Sequence, residues 1–418
     1  MRLRPLRDFF TYMGPALIVS MAYMDPGNYG TAIQSGALFD NGLVWAVWLA
    51  SLMAMELQYL SGKLGIATGK SLPEMVRHSL SRYTAFAYWL AAEAAAAATD
   101  LAEYLGTVLA LNILFGIPLA VAGVLGALDV LLILAFATRK FRLIEYAFML
   151  SVSIISIGFL YEFIVLKPDV VDIATHVFLP SLSQANVPFV VGIIGATVMP
   201  HALFVHSHLA RDKLRDDSVE EKRRARRLHL IECVFTLTIA ALVNVAILVT
   251  AATVLWPTHG AVASCTADVS SCANSLTVQQ AASITGAVYG PLAATVFAIT
   301  LLFSGVASST TGTLAGQAIM EGLLGNKVNI YVRRLVTRVI NVVPTEVAIL
   351  AGLGPLSLLV YSQVILSVMI PLPMVPLLYY TAKKKVMGEF VNRRSTTVLA
   401  VLIAGVILAL NAYLLLTL

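Results

Sequence analysis

The chain alternates long apolar runs with short polar segments, and this alternation predicts its architecture. Eleven runs have roughly the 20 residues that an α-helix needs to cross about 30 Å of hydrocarbon. They cover residues 12–37, 43–66, 84–113, 117–137, 144–166, 188–209, 230–255, 288–315, 331–353, 356–380 and 395–417. We therefore expect an all-α membrane protein with eleven transmembrane helices.

The positive charges predict how these helices are oriented. Lysine and arginine are concentrated in short cytoplasmic loops. With the N-terminus inside, 27 of the 28 lysines and arginines fall in inner loops or at the inner ends of spans, and Lys167 is the remaining one. We expect a cytoplasmic N-terminus and an extracellular C-terminus. The net charge of +5 then reflects orientation and does not indicate a nucleic-acid partner.

Composition agrees with a polytopic membrane protein, since 59% of the residues are hydrophobic and only 12% are charged. The first apolar run lacks a small-residue cleavage site, so a cleaved signal peptide is not expected. The short termini favour a plasma-membrane protein, and a monomer in the lipid bilayer is expected. Cys265 and Cys272 share an outer loop, where a disulfide and two free thiols both remain open, whereas Cys233 is expected to pack inside its span as a small hydrophobe.

Two spans contain polar, helix-breaking segments at mid-membrane. The first span contains MDPGNY at 24–29, and the sixth contains GATVMPH at 195–201. Because the two spans lie five apart and run in opposite directions, they predict a 5+5 inverted repeat, as in secondary transporters with discontinuous helices. The halves would be residues 1–187 and 188–382, with 383–418 as an additional span.

The residues at these breaks suit a cation. Proline and glycine free backbone carbonyls, which at this depth need a partner. Asp25 adds a charge, Asn28 a carboxamide oxygen, Ala196 a carbonyl and Met199 a thioether sulfur. Oxygen ligands alone would suit Ca²⁺ or Mg²⁺, but the soft sulfur favours Mn²⁺, Fe²⁺, Co²⁺ or Cd²⁺. The substrate predicted from these residues is a transition-metal dication.

Three carboxylates lie in the third span. Glu93, Asp100 and Glu103 are seven and three residues apart, which places them on one helical face. Arg333 and Arg334 of the ninth span are the expected counter-charges. Such a set could carry protons from the metal site to the inner water, and a structural ion-pair network that only holds helices together is the alternative.

Two histidines follow the second break. His201 is a candidate for proton relay or for tuning Asp25, itself a candidate proton acceptor, because imidazole changes charge near neutral pH. His206 is placed in the same pathway, with simple hydrogen bonding as an equal alternative. The run HALFVHSH lacks a matched zinc partner, and no HExxH motif occurs, so an intramembrane metalloenzyme is not indicated.

Several segments together resemble the Nramp family of proton-coupled divalent metal transporters. They are GPALIVSMAYMDPGNYGT, LGIATGKSLPE, ATDLAEYLG, GIIGATVMPHALFVHS, AGQAIMEG, RRLVTR and SQVILS. The resemblance covers nearly the whole chain. It implies a leucine-transporter-type fold and import of Mn²⁺ or Fe²⁺ with H⁺, without a cofactor.

The resemblance also implies specific site residues. The family's metal ligands correspond to Asp25, Asn28, Ala196 and Met199, and its proton route to the carboxylates and arginines of the third and ninth spans. Gln363 resembles a residue that approaches the metal in some conformations, and a polar packing contact is its alternative. An organic-solute transporter of the same architecture is the second function considered, although this set of Asp, Asn and Met suits such a solute poorly.

Overall fold

The computed structural model describes residues 12–128, 141–259, 278–325 and 329–417. These ranges fold into helices joined by short turns and contain no β-strand. The α-helices are α1 (Pro15–Ala22), α2 (Pro26–Phe39), α3 (Val44–Thr68), α4 (Leu72–Ser79), α5 (Arg82–Phe115), α6 (Leu119–Gly126), α7 (Phe141–Leu166), α8 (Val170–Phe178), α9 (Val187–Thr197), α10 (Pro200–Asp212), α11 (Val219–His259), α12 (Val278–Tyr289), α13 (Pro291–Leu324), α14 (Ile330–Leu350), α15 (Pro355–Met369), α16 (Pro371–Thr381), α17 (Lys384–Met387) and α18 (Arg394–Thr417). Short 3-10 turns occupy Asp40–Leu43 and Gly388–Phe390.

Many of these helices have the length and composition needed to cross a membrane. Within the described ranges, eight segments are long and apolar enough to cross a bilayer. Helix α18 leaves Leu399, Leu402 and Val406 exposed, and their spacing of three and four residues makes one apolar face for lipid. The protein is therefore an all-helical, multi-pass membrane protein. Part of the predicted span 117–137, as well as Cys265 and Cys272, lies outside the described residues.

Both predicted breaks are confirmed. Helix α1 ends at Ala22 and α2 begins at Pro26, while α9 ends at Thr197 and α10 begins at Pro200. A further interruption was not predicted: the run at 356–380 divides at Ile370 into α15 and α16. The reason is local, because Pro371 has no N–H with which to continue the helical hydrogen-bond ladder.

The helices approach one another closely where glycines lie at their crossings. A Cβ added at Gly36 of α2 would lie 2.4 Å from Leu248 O of α11. The same addition at Gly65 of α3 would lie 2.1 Å from Ser207 O of α10. Backbone meets backbone at both crossings, as is common for small residues in membrane helices. The first contact holds α2 against α11, and the second holds α10 of the second broken span against α3.

Helix α5 is long enough to pass the whole bilayer and carries the predicted carboxylates. Its 34 residues correspond to about 51 Å at 1.5 Å per residue. Ser81 Oγ accepts a hydrogen bond from Thr84 N at the first turn, and Gly116 ends the helix in the left-handed conformation with φ 65°. Along its length α5 packs against α13. The three acids therefore face neighbouring helices at different depths.

Candidate cation site

The first break ends one helix and starts another around Asp25. This residue caps α2: its Oδ1 accepts a hydrogen bond of 2.8 Å from Asn28 N. Pro26 occupies the first helical position, where a missing N–H costs nothing because that group has no partner within the helix. Asp25 is completely buried, and its Oδ2 accepts no hydrogen bond from the residues that the structure describes. A carboxylate with a free oxygen is thus held at the centre of the protein.

The carbonyls released at this break have protein partners. Asn244 Nδ2 of α11 donates to Tyr23 O at 2.8 Å, and Ser304 Oγ of α13 donates to Met24 O. Sequence reasoning expected a cation to satisfy the carbonyls and Asp25 together. Each of these two carbonyls already accepts one hydrogen bond and keeps a second lone pair, so a cation shared by the carbonyls and Asp25 stays a prediction. The Asp25 carboxylate keeps one oxygen that accepts no hydrogen bond from the described residues.

The second break meets the first through one carboxamide. Asn28 Nδ2 donates both to Asp25 Oδ1, at 2.7 Å, and to Ala196 O, at 3.0 Å. Thr197 Oγ1 donates to Asn28 Oδ1 at 3.2 Å. The amide nitrogen therefore lies between two oxygen acceptors, one from each helix break. The N–H groups of this carboxamide carry only partial positive charge, and a small cation can bind the same two oxygens.

Met199 links α9 to α10. It has extended backbone angles at the N-cap of α10 and is completely buried. Pro200 follows at the first helical position, as Pro26 does at the first break. Each broken span thus resumes at a proline, with a potential ligand directly before it, Asp25 in one case and Met199 in the other.

Gln363 lies between the two breaks. A Cβ added at Gly27 would lie 2.3 Å from Gln363 Nε2, and one added at Gly195 would lie 1.9 Å from Gln363 O. Its side chain therefore packs on the first break and its backbone on the second. Gln363 Nε2 donates to Ser362 Oγ, while Oε1 receives no hydrogen bond within the described part of the chain. This oxygen is a second buried acceptor next to the first break.

The predicted acids of α5 lie against α13 and α14. Arg333 Nη2 donates to Glu93 Oε1 at 2.5 Å, and the Arg333 guanidinium packs on Gly316 of α13. A Cβ added at Gly312 would lie 2.9 Å from Glu103 Oε2, so this carboxylate lies on the α13 backbone. The side chain of Arg334, the other expected counter-charge, is not among those that the structure describes.

Asp100 has partners that sequence reasoning missed. Asn341 Nδ2 donates to Asp100 Oδ2 at 2.7 Å, and Arg338 Nη1 lies 3.6 Å from Asp100 Oδ1. Both partners are on α14 and are buried. A signal was present, since Arg334, Arg338 and Asn341 repeat at four and three residues and mark one polar face on an otherwise apolar helix.

The two histidines point to different neighbours. His201 Nδ1 lies 3.1 Å from Thr99 Oγ1 of α5, which places it beside the helix of carboxylates. His206 Nδ1 lies 2.8 Å from Gln58 Oε1, and Gln58 Nε2 donates to Tyr23 OH at 2.7 Å. Both imidazoles are buried. His206 is thereby connected to the first break through α3.

Broken apolar helices that enclose a carboxylate, a carboxamide and a backbone carbonyl are typical of helical membrane transporters with discontinuous helices. A family model described as Natural resistance-associated macrophage protein-like matches residues 16–417. The chain therefore belongs to the Nramp family, and the resemblance noted from its motifs is confirmed. Membership makes it a metal transporter and not an enzyme.

Individual relatives agree with this assignment. The divalent metal cation transporter MntH of Deinococcus radiodurans is 40% identical over 413 residues, which are 99% of this chain and 91% of that protein. The crystal structure of the Eremococcus coleocola manganese transporter with an aromatic bis-isothiourea substituted compound matches with a TM-score of 0.83 at 32% identity, over 97% of this chain and 86% of that one. Mhp1, a nucleobase-cation-symport-1 family transporter, matches with a TM-score of 0.60 at 12% identity, over 88% of this chain and 78% of its own. This last likeness concerns the fold alone.

Proposed function

We propose that the chain imports Mn²⁺ and related dications, Fe²⁺, Co²⁺ and Cd²⁺, together with protons by alternating access. One observation carries the proposal: the Asn28 amide bridges Asp25 Oδ1 and Ala196 O across the two helix breaks. An arriving dication takes the place of the amide N–H groups at both oxygens. The printed names of the relatives, a divalent metal cation transporter and a manganese transporter, point to the same substrates.

The ligand set accounts for the choice of metal. Asp25, Asn28, Ala196 and Gln363 offer oxygen atoms, which accept most hard dications. The thioether of Met199 adds a soft ligand that disfavours Mg²⁺ and Ca²⁺ and tolerates Mn²⁺ or Fe²⁺. The substrate is thus selected by one sulfur atom among oxygens.

Proton movement is assigned to the polar residues beside the site. Asp25 exchanges a proton for the metal, and His201, which contacts Thr99 of α5, lies between the site and the acids of that helix. Glu93, Asp100 and Glu103, with the arginines of α14, carry the proton onward. The ion pair between Arg333 and Glu93 supports this route, and His206 extends the polar region towards the inner side.

The architecture proposed around this site has eleven spans arranged as a 5+5 inverted repeat. Residues 1–187 and 188–382 form the halves, and 383–418 adds the last span. Paired breaks at equivalent positions, each resuming at a proline, support the repeat. The lysine and arginine distribution supports a cytoplasmic N-terminus and an extracellular C-terminus. A monomer in the plasma membrane completes the proposal.

Uptake into proteoliposomes that contain a pH dye tests the proposal. Wild type should take up Mn²⁺ with internal acidification and exclude Mg²⁺. Asp25→Ala should be inactive, and Met199→Ala should admit Mg²⁺. Met374→Ala is the matched control, because Met374 is equally buried but lies on α16, outside the site. Mn²⁺ uptake that survives Asp25→Ala unchanged would exclude the site, and uptake without acidification would exclude proton coupling.

A further inference from the structure

A second group of metal-binding side chains lies apart from the cation site. His206 of α10 meets His229 and Cys233 of α11, and one ligand atom of each lies within 4.8 Å of the others. All three residues are at most 1% exposed. The run HALFVHSH lacked a zinc partner along the sequence, and the fold supplies one from the neighbouring helix.

The hydrogen bonds of His206 leave one nitrogen available. Gln58 Nε2 donates to Tyr23 OH, so Gln58 turns its Oε1, which can only accept, towards His206 Nδ1 at 2.8 Å. His206 therefore donates from Nδ1 and carries its lone pair on Nε2. Among the described residues, Nε2 has no hydrogen-bond partner. A buried, unpaired imidazole nitrogen is the form that binds a metal.

His229 is oriented in a similar way. Its Nε2 lies 3.4 Å from Tyr59 O, a carbonyl that can only accept, so the N–H is on Nε2. Cys233 Sγ lies 3.6 Å from Nδ1 and 3.5 Å from Nε2 of the same ring. The lone pair of His229 therefore falls on Nδ1, beside the thiol. Metal-ligating histidines characteristically donate their other N–H to a carbonyl or carboxylate, which fixes the ring. Both imidazoles have such an acceptor here.

The backbone of α3 makes room for this arrangement. A Cβ added at Gly62 would lie 2.2 Å from His229 Cε1, so the ring rests directly on the helix. Tyr59 stacks on the same ring with a centroid distance of 5.9 Å and an interplanar angle of 18°. Because His229 and Cys233 are four residues apart, they share one face of α11. The histidine and the thiol are thus held facing α10.

We propose that His206, His229 and Cys233 form a second metal site, specific for thiophilic dications such as Zn²⁺ and Cd²⁺. Zn–N distances of about 2.0–2.1 Å and a Zn–S distance of about 2.3 Å put tetrahedral ligand atoms roughly 3.4–3.6 Å apart. His229 Nδ1 and Cys233 Sγ already have this separation, so side-chain adjustment of His206 completes the triangle. The ion replaces the thiol proton, which leaves as H⁺, and water supplies the fourth ligand.

This site differs from the transport site in chemistry and in consequence. Two imidazoles and a thiolate favour Zn²⁺ and Cd²⁺ over Mn²⁺, which prefers oxygen ligands. Occupancy would join α10, which begins next to Met199, to α11. The transport site around Asp25 is proposed to accept both Mn²⁺ and Cd²⁺. The second site would distinguish these two ions, because it favours Cd²⁺.

Binding of Co²⁺ to the purified full-length protein tests this proposal. The background variant carries Asp25→Ala, Cys265→Ser and Cys272→Ser, which removes the transport site and the two loop thiols. We expect a thiolate-to-Co²⁺ charge-transfer band that saturates at one equivalent and is displaced by Zn²⁺ or Cd²⁺. Cys233→Ser should abolish the band, and His229→Gln, which keeps a donor for Tyr59 O, should weaken Co²⁺ binding at least tenfold.

His208→Gln is the matched control, because His208 lies on α10 beside Arg211 and Asp212, and it should leave the band unchanged. Absence of the band in the background variant, or its persistence after Cys233→Ser, would overturn the proposal. Since Asp25 is already replaced in every sample, failure of the transport proposal would not alter this result. Monodisperse elution of each variant shows that loss of the band is not loss of folding.

Discussion

Replacing Gly195 with alanine tests whether the cation site depends on the close approach of α9 to α15. A Cβ at this position would lie 1.9 Å from Gln363 O and 2.8 Å from Ser367 N. Both are backbone atoms and cannot rotate away. Since an unstrained C···O contact is about 3.3 Å, the two helices would have to separate by roughly 1.4 Å.

Separating the two helices costs packing free energy and displaces residues of the proposed cation site. Overpacking of this kind destabilises by about 1–3 kcal/mol, against a gain of up to about 1 kcal/mol from the helix propensity of alanine. The carbonyl of the next residue, Ala196, accepts a hydrogen bond from Asn28 Nδ2 at 3.0 Å, so displacing the end of α9 also displaces this proposed metal ligand. With that gain subtracted, up to about 2 kcal/mol of strain remains, and if it appears as lost affinity, Mn²⁺ binding weakens by up to roughly 30-fold.

Gly192→Ala is the matched control on the same helix. Its added Cβ would meet Thr31 Cγ2 at 3.4 Å and Val364 Cγ2 at 3.8 Å, which are ordinary contacts. Titration calorimetry with Mn²⁺ and uptake into proteoliposomes should therefore show a defect in Gly195→Ala alone. Wild-type affinity and uptake in Gly195→Ala would refute the reasoning, and an equal defect in both variants would assign the effect to glycine loss rather than to helix spacing.

Two further predictions concern helix packing and buried charge. Gly65→Ala should lower the melting temperature, because its Cβ would lie 2.1 Å from Ser207 O. Gly405→Ala, whose Cβ would have no atom within 4 Å, should leave the melting temperature equal or higher. Equal melting temperatures in the two variants would contradict the close crossing. Arg338→Gln should destabilise by about 3–5 kcal/mol because it removes the guanidinium that lies 3.6 Å from the buried Asp100 carboxylate, and Asp100→Asn in the same chain should recover part of that loss. Additive effects of these two substitutions in denaturant unfolding would show that the residues do not interact.

The sequence by itself determined the class of protein and the positions of its two helix breaks. Hydrocarbon imposes long apolar helices, so composition and run length suffice to predict a helical membrane protein. Proline and glycine act locally, and for this reason the breaks near Asp25 and Met199 were predicted within a residue or two. The cost of a carboxylate at that depth singled out Asp25 before any fold was known.

Only the tertiary structure decided which polar residues meet around that site. Asn244 and Ser304 each donate a hydrogen bond to a carbonyl of the first break, Arg338 lies beside Asp100, and His206 lies beside His229 and Cys233. The helices here are apolar towards lipid and apolar towards one another, so periodicity does not identify the face that is buried. The buried face is set by how the helices cross and where glycines let them approach closely, and these contacts join residues far apart in the chain.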